Sequence, residues 1–141
     1  EVFQQMKDRL DSGTLDPWMQ RLSTTIQQVT SDHYMDLDFD GGGVTRSSGI
    51  VIPHELLSMG TKASMGFSIR LSMAAHFLED LDGFLILDDP MVDLDADRQR
   101  KTADVLREFA EQKQVILLTC HEAHAALLTQ SPLQITRDGE G

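Results

Sequence analysis

Cysteine, basic residues and long apolar runs are all scarce in this chain. Cys120 is the single cysteine among 141 residues. A disulfide framework within the chain is thereby excluded, and one thiol fits a reducing compartment. No apolar run approaches the roughly 18 residues that a membrane-crossing helix needs. The opening residues carry no signal-peptide pattern. The expected setting is therefore cytoplasmic, with no membrane partner. Lys and Arg number 12 against 23 Asp and Glu, for a net charge of −11. Phosphate binding wants a basic face, so the chain is not expected to grip nucleic acid by itself. It begins with Glu1 rather than Met, which suggests a piece of something longer.

What is present is an ordinary globular composition, 40% hydrophobic and 25% charged. The length suits one domain with a real core. Val2, Phe3, Met6 and Leu10, then Trp18, Met19, Leu22, Ile26 and Val29, recur at gaps of three and four. Such gaps predict two helices, the second over Pro17–Thr30, with Asp16 as cap and Pro17 in the first turn. Tyr34–Phe39 alternates apolar and polar residues, the period of a half-buried strand. Asp40 to Gly43 reads as a turn, Val44–Arg46 as the returning strand, and Ile50–Ile52 as a third. Gly41-Gly42-Gly43 lacks the lysine and Ser/Thr of a phosphate loop.

Lys62–Leu78 places Met65, Ile69, Met73 and Phe77 at steps of four, predicting a helix with one apolar face. Gly83–Leu87 and Val115–Thr119 are compact apolar runs without alternation, as in strands buried on both faces of a parallel sheet. A helix is expected between them over Ala96–Gln112, with Val105, Leu106 and Phe109 inward. A short helix over Glu122–Leu128 and a last strand over Leu133–Thr136 complete the pattern. Strand, helix, strand implies a right-handed parallel unit, whose functional groups collect beyond the carboxyl ends of the strands.

Asp88, Asp89 and His121 fall at those ends. Two adjacent carboxylates after an apolar strand suit a hydrated Mg²⁺ beside a nucleotide phosphate, one holding the metal through water, the other orienting or deprotonating an attacking water. They equally suit a solvated turn or a helix cap. Ser58-Met59-Gly60 before a helix suits an anion at its N-terminus, or a simple serine cap. His121 suits a phosphate contact or a core edge. Cys120 reads as a buried strand cysteine, and His33, His54, His76 and His124 receive no role.

Order and spacing carry a resemblance. Leu57-Ser58-Met59-Gly60 resembles the signature motif of ABC-type ATPases. Leu85-Ile86-Leu87-Asp88-Asp89-Pro90 is similar to their Walker B strand, Val92-Asp93-Leu94-Asp95 to the D-loop, and Thr119-Cys120-His121 to the switch-histidine loop. The stretch Ile69-Arg70-Leu71-Ser72-Met73-Ala74 and the endings Leu-Asp-Asp-Pro and Thr-Cys-His most resemble the SMC, SbcC and RecF branch, especially YhaN-like ATPases. The resemblance covers about residues 34–137.

The resemblance implies an α/β fold: the C-terminal lobe of a P-loop NTPase of the ABC head type, with parallel strands, flanking helices and a small antiparallel hairpin. Residues 1–32 would be a helical segment where a coiled coil leaves the head, and 33–141 the lobe itself. The phosphate loop would belong to an N-terminal lobe of the same protein. ATP and Mg²⁺ are the implied ligands. Asp88 would hold Mg²⁺ through water, and Asp89 would stand where many relatives have a catalytic glutamate. His121 would sense the γ-phosphate. Leu57, Ser58 and Gly60 would face the nucleotide of a second head, Asp93 and Asp95 would sit on the seam, and Arg70 would couple the signature helix to the arm. The implied partners are that N-terminal lobe, a second head, and DNA through other regions, in DNA repair or chromosome maintenance near the nucleoid. Alone, the lobe is expected to be inactive. A catalytically silent dimerisation module with the same fold is the alternative. A RecA-like or AAA-type piece would have the Walker B strand without the Leu-Ser-x-Gly helix and D-loop.

Overall fold

A computed structural model of the chain describes residues 16–135. The expected first helix, around Val2–Leu10, lies outside them. Helix α1 spans Asp16–Thr30, with Pro17 in the first turn, where its missing N–H costs nothing. Leu22, Ile26 and Val29 share its inner face and are fully buried. The helix ends where Ser31 and Asp32 take left-handed φ values of 51° and 59°. Asp32 N then donates to Gln27 O at 2.9 Å, closing the last turn. The Thr30 hydroxyl donates to Ile26 O at 2.6 Å, and Tyr34 N donates to that hydroxyl at 3.3 Å, fixing the turn into the sheet.

Strands β1 (Tyr34–Asp38), β2 (Gly43–Arg46) and β3 (Val51–Pro53) form an antiparallel sheet in that order. The first turn is tied by Gly41 N donating to Asp38 Oδ1 at 2.8 Å, and Gly42 supplies a φ of 65°. Pro53 ends an edge strand, where a missing N–H is tolerated. A 3₁₀ turn at His54–Leu56 leads into α2, Met59–Phe77.

The second half alternates strand and helix: β4 (Phe84–Asp88), α3 (Ala96–Ala110), β5 (Gln114–Leu118) and α4 (Glu122–Leu128). β4 and β5 pair in parallel, from Phe84 opposite Gln114 to Asp88 opposite Leu118. A parallel pair needs a long crossover, and α3 supplies it. Leu22, Ile26, Tyr34, Val44, Leu57 and Met65 form one core cluster, joining α1 and α2 to the antiparallel sheet. Val29, Phe67, Leu71, Leu87, Val105 and Leu106 form the other, beneath the parallel pair. Trp18 Nε1 donates to Ser72 Oγ at 3.0 Å and Arg21 pairs with Glu79 at 2.8 Å, so α1 is clamped along α2.

Three expectations are corrected. The stripe Met65, Ile69, Met73, Phe77 is not the buried face of α2: Met73 and Phe77 are exposed. The helix instead buries Thr61, Ser64, Met65, Phe67, Ser68, Leu71 and Ser72. Several of these are small hydroxylated residues: Ser72 meets Trp18 of α1, and Ser64 and Ser68 donate back to carbonyls of their own helix. Second, β4 and β5 are covered on one face only. Leu85, Leu87, Val115 and Leu117 pack on the core, whereas Phe84 is 55% and Ile86 54% exposed, with Ile116 and Leu118 also outward. Apolar residues on both faces wrote the unbroken run, and only one face is filled here. Third, residues 133–135 form no strand: Leu133 is 96% and Ile135 89% exposed, with no strand partner among the described residues. Thr136 lies outside the described residues.

Candidate functional site

The carboxyl ends of β4 and β5 bring together residues far apart in sequence. Beyond Asp88, Asp89 turns sharply, with φ of 42°. A non-glycine residue in the left-handed region is uncommon, and Asp tolerates it better than most. The conformation is held on three sides. Asp89 N donates to Leu118 O at 2.9 Å, extending the ladder by one bond. Thr119 Oγ1 donates to Asp89 Oδ1 at 2.6 Å, and Cys120 Sγ lies 3.6 Å from Oδ2. The Thr119 hydroxyl, foremost, holds the Asp89 carboxyl below the usual aspartate range. Partial burial opposes this, while Cys120 and the nearby His121 act in the same direction. Cys120 is exposed, not buried in a strand: β5 ends at Leu118, and the thiol lies beyond the ladder.

His121 stands just before α4, its backbone N donating to Thr119 Oγ1 at 3.1 Å. One turn on, the His124 ring lies 4.7 Å from it, centroid to centroid. Asp89, His121 and His124 each bring one ligand-type atom within 4.8 Å of the others. That grouping has the spacing of a cation site, but the hydrogen bonds oppose it. Gln99 Nε2 donates to Met91 O at 3.3 Å and Leu94 O at 2.9 Å. Two carbonyls therefore identify it as the NH₂ end of the amide. The same nitrogen lies 3.1 Å from His124 Nε2, which must accept. Its lone pair is spent and the ring proton sits on Nδ1, leaving His124 nothing to offer a metal. Asp88 is separate from this group: it is exposed at the end of β4, its backbone paired opposite Leu118, and its carboxylate makes no hydrogen bond or ion pair among the described residues. An open carboxylate fits a hydrated Mg²⁺, which keeps several waters.

A second group surrounds the start of α2. Ser58 caps it, accepting from Thr61 N at 3.2 Å and meeting Thr61 Oγ1 at 2.9 Å. Arg98 Nη2 donates to Thr61 Oγ1 at 3.2 Å, while Arg98 Nε lies 3.6 Å from Asp95 Oδ2. Asp95 caps α3 through Asp97 N and Arg98 N at 3.1 and 3.0 Å. Those bonds, Arg98 N first, hold its carboxyl low. A Cβ at Gly60 would come 3.0 Å from Arg98 Nη1 and 3.1 Å from Asp93 O. A side chain there would require the Asp93 backbone and Arg98 to give by a few tenths of an ångström. Leu57 is buried in the first core cluster, so its side chain faces protein. Arg70 is exposed on α2.

Sequence reasoning therefore found Asp89 and His121, which meet, and Ser58, Gly60, Asp93 and Asp95, which neighbour one another. It missed Thr61, Arg98, Gln99 and His124. Arg98 and Gln99 are polar residues at the third and fourth positions after the Asp95 cap, on the α3 turn that faces the loop. That position was the available signal.

No protein-family model matches the chain. Over 130 residues it is 33% identical to the DNA double-strand break repair Rad50 ATPase of Methanopyrus kandleri, covering 86% of this chain and 15% of that protein. It is 34% identical over 91 residues to the Rad50 ATPase of Sulfurisphaera tokodaii, covering 62% of this chain and 10% of that protein. The chain thus spans only 10% to 15% of these curated relatives. A solved structure from work on ATP-driven dimerization and DNA-stimulated activation of SMC ATPases superimposes with a TM-score of 0.75 at 17% identity, covering 94% of this chain and 84% of that one. The SMC head domain from Thermotoga maritima gives 0.61 at 17%, covering 79% and 40%. The fold is an α/β lobe of an ABC ATPase head. Its sequence similarity to the Rad50 ATPases makes it a lobe of the SMC/Rad50 type, while the SMC heads share its fold.

Proposed function

We propose that this chain is the C-terminal lobe of a two-lobed ATPase head, most like the YhaN-like members of the SMC, SbcC and RecF branch. Two such heads would engage around ATP and hydrolyse it at their seam, in DNA repair or chromosome maintenance. The observation that carries this reading is the meeting of Asp89, Thr119 and His121 at the carboxyl ends of two adjacent parallel strands. Functional groups of open α/β sheets collect there.

Asp88 is the residue that would hold Mg²⁺ through water; the ion supplies charge neutralisation at the phosphates. Asp89 orients the attacking water and accepts its proton, with Thr119 holding its carboxylate. His121 contacts the γ-phosphate. Ser58 and Gly60, with the backbone at Leu57, face the nucleotide held by the second head, and Asp93 and Asp95 lie on the seam. Arg70 transmits motion of α2 toward the arm. The γ-phosphate bridges the two heads, so its loss releases them. The outward face of β4 and β5, with Phe84, Ile86, Ile116 and Leu118, is the surface that the N-terminal lobe with the phosphate loop would cover. DNA is contacted by other regions, and the setting is the cytoplasm or nucleoid.

A second reading has one observation in its favour. Both Asp89 oxygens already have partners, Thr119 and Cys120, which suits a silent dimerisation module. Turnover by the complete wild-type head contradicts the silent reading. Calorimetry tests the split-head account: the 141-residue chain should bind ATP poorly or not at all, and tight binding by this chain alone contradicts it.

A further inference from the structure

His124 is 6% exposed, and its Nδ1 has no hydrogen-bond partner among the described residues. A buried donor left bare carries a real cost, one that a leucine or phenylalanine would not incur. The other side of the ring is fully engaged. Gln99 Nε2 reaches His124 Nε2 at 3.1 Å and, with its two N–H groups shared among three acceptors, also Met91 O and Leu94 O. Met91 is fully buried and anchors the loop after Asp89. Leu94 immediately precedes Asp95, whose carboxylate is tied through Arg98 to Thr61 at the start of α2. On its outer side the His124 ring lies against that of His121.

Resting on the ATPase reading above, we propose that His124 is a positioning residue that couples His121, through Gln99, to the backbone of loop 89–95. His121 is exposed and free to shift toward a phosphate. His124 is packed against it, 4.7 Å between ring centroids, so a shift of His121 changes the packing on the outer side of His124. Gln99 carries that displacement to the Met91 and Leu94 carbonyls, and so to Asp93 and Asp95. The bare Nδ1–H leaves this arrangement one hydrogen bond short, which favours any state that brings it an acceptor. The state of the γ-phosphate at His121 is thereby passed to the opposite edge of the same lobe.

The test uses ATP hydrolysis by the complete head. Gln99→Leu should lower kcat between about tenfold and a hundredfold, the scale of a small misplacement, while leaving KM nearly unchanged. The same change in a His121→Ala background should cause no further loss, because the residue it acts through is gone. Two losses that multiply would overturn the proposal. Gln99→Glu keeps the shape but removes the donor, so it should not rescue; full turnover in that variant also overturns it. A measurement without substitution stands beside these. Long-range ¹H–¹⁵N correlation on the 141-residue chain should find His124 in the Nδ1–H tautomer, and a proton on Nε2 refutes the geometry. A wild-type head with no turnover contradicts the ATPase reading and takes the coupling role down with it, an outcome distinct from multiplying losses in an active enzyme.

Discussion

Thr119 Oγ1 donates to Asp89 Oδ1 at 2.6 Å, bridging the ends of the two parallel strands. The bond holds a carboxylate whose backbone turns through a left-handed φ of 42°. It also favours the ionised form, so the Asp89 carboxyl lies below its usual range. Thr119→Val removes the donor and should move the Asp89 titration upward, observable by carbon-detected NMR. A depressed folded-state value contributes stability above the unfolded value of about 3.9. That contribution is lost as pH falls through the lower folded value. Stability of the wild type should thus fall more steeply than that of Thr119→Val as pH drops between the two, because only the wild type has the full contribution to lose. Identical Asp89 titrations in both proteins would refute this assignment.

Asp89→Asn keeps an oxygen for Thr119 to donate to, so the turn should survive. The ability to take a proton is lost. In the complete head, turnover should fall by about 10²–10⁴-fold, the usual worth of a general base, with ATP binding retained. Retention of wild-type turnover would show that Asp89 is not the base.

Ser58 combines two duties that substitution can separate. As the cap of α2, it should contribute about 1 kcal/mol, lost in Ser58→Ala and visible in thermal unfolding. Ser58→Asp retains a capping oxygen and should keep that stability. It places a negative charge where the account puts a phosphate, so ATP-driven association of heads should fail. Association of Ser58→Asp heads at wild-type affinity would remove Ser58 from the nucleotide face.

Neighbouring residues of β4 should behave oppositely. Leu87 is buried under the sheet, and Leu87→Ala should cost about 2–5 kcal/mol. Ile86 faces outward, and Ile86→Lys should change the isolated chain's stability by no more than about 0.5 kcal/mol. It should prevent reconstitution with the N-terminal lobe. Normal reconstitution would show that this face is not the one the lobe covers.

Much of this fold was legible because periodicity reports local packing. The steps of three and four in Leu22, Ile26 and Val29 gave α1 to within a residue of Asp16–Thr30, and Glu122–Leu128 forms as expected. The misreadings of β4, β5 and α2 share one cause: apolarity does not tell which face of a strand or helix the described residues cover. Ile86 and Ile116 therefore read as core although exposed here, as did Met73 and Phe77. Conversely, α2 buries Ser64, Ser68 and Ser72, the last of them hydrogen-bonded to Trp18 of α1, and a hydropathy pattern scores all of these as surface. At the site, motif order located Asp89 and His121. Thr61, Arg98, Gln99 and His124 join it only through contacts between α2, α3 and α4, which no local pattern records.

The central claim is that ATP joins two heads through the faces carrying Ser58 and Asp89. The direct measurement is light scattering on the complete head, both lobes joined and carrying Asp89→Asn, with and without Mg-ATP. The account predicts a doubling of mass with nucleotide, abolished by adding Ser58→Arg. An unchanged mass while ATP is demonstrably bound would contradict it.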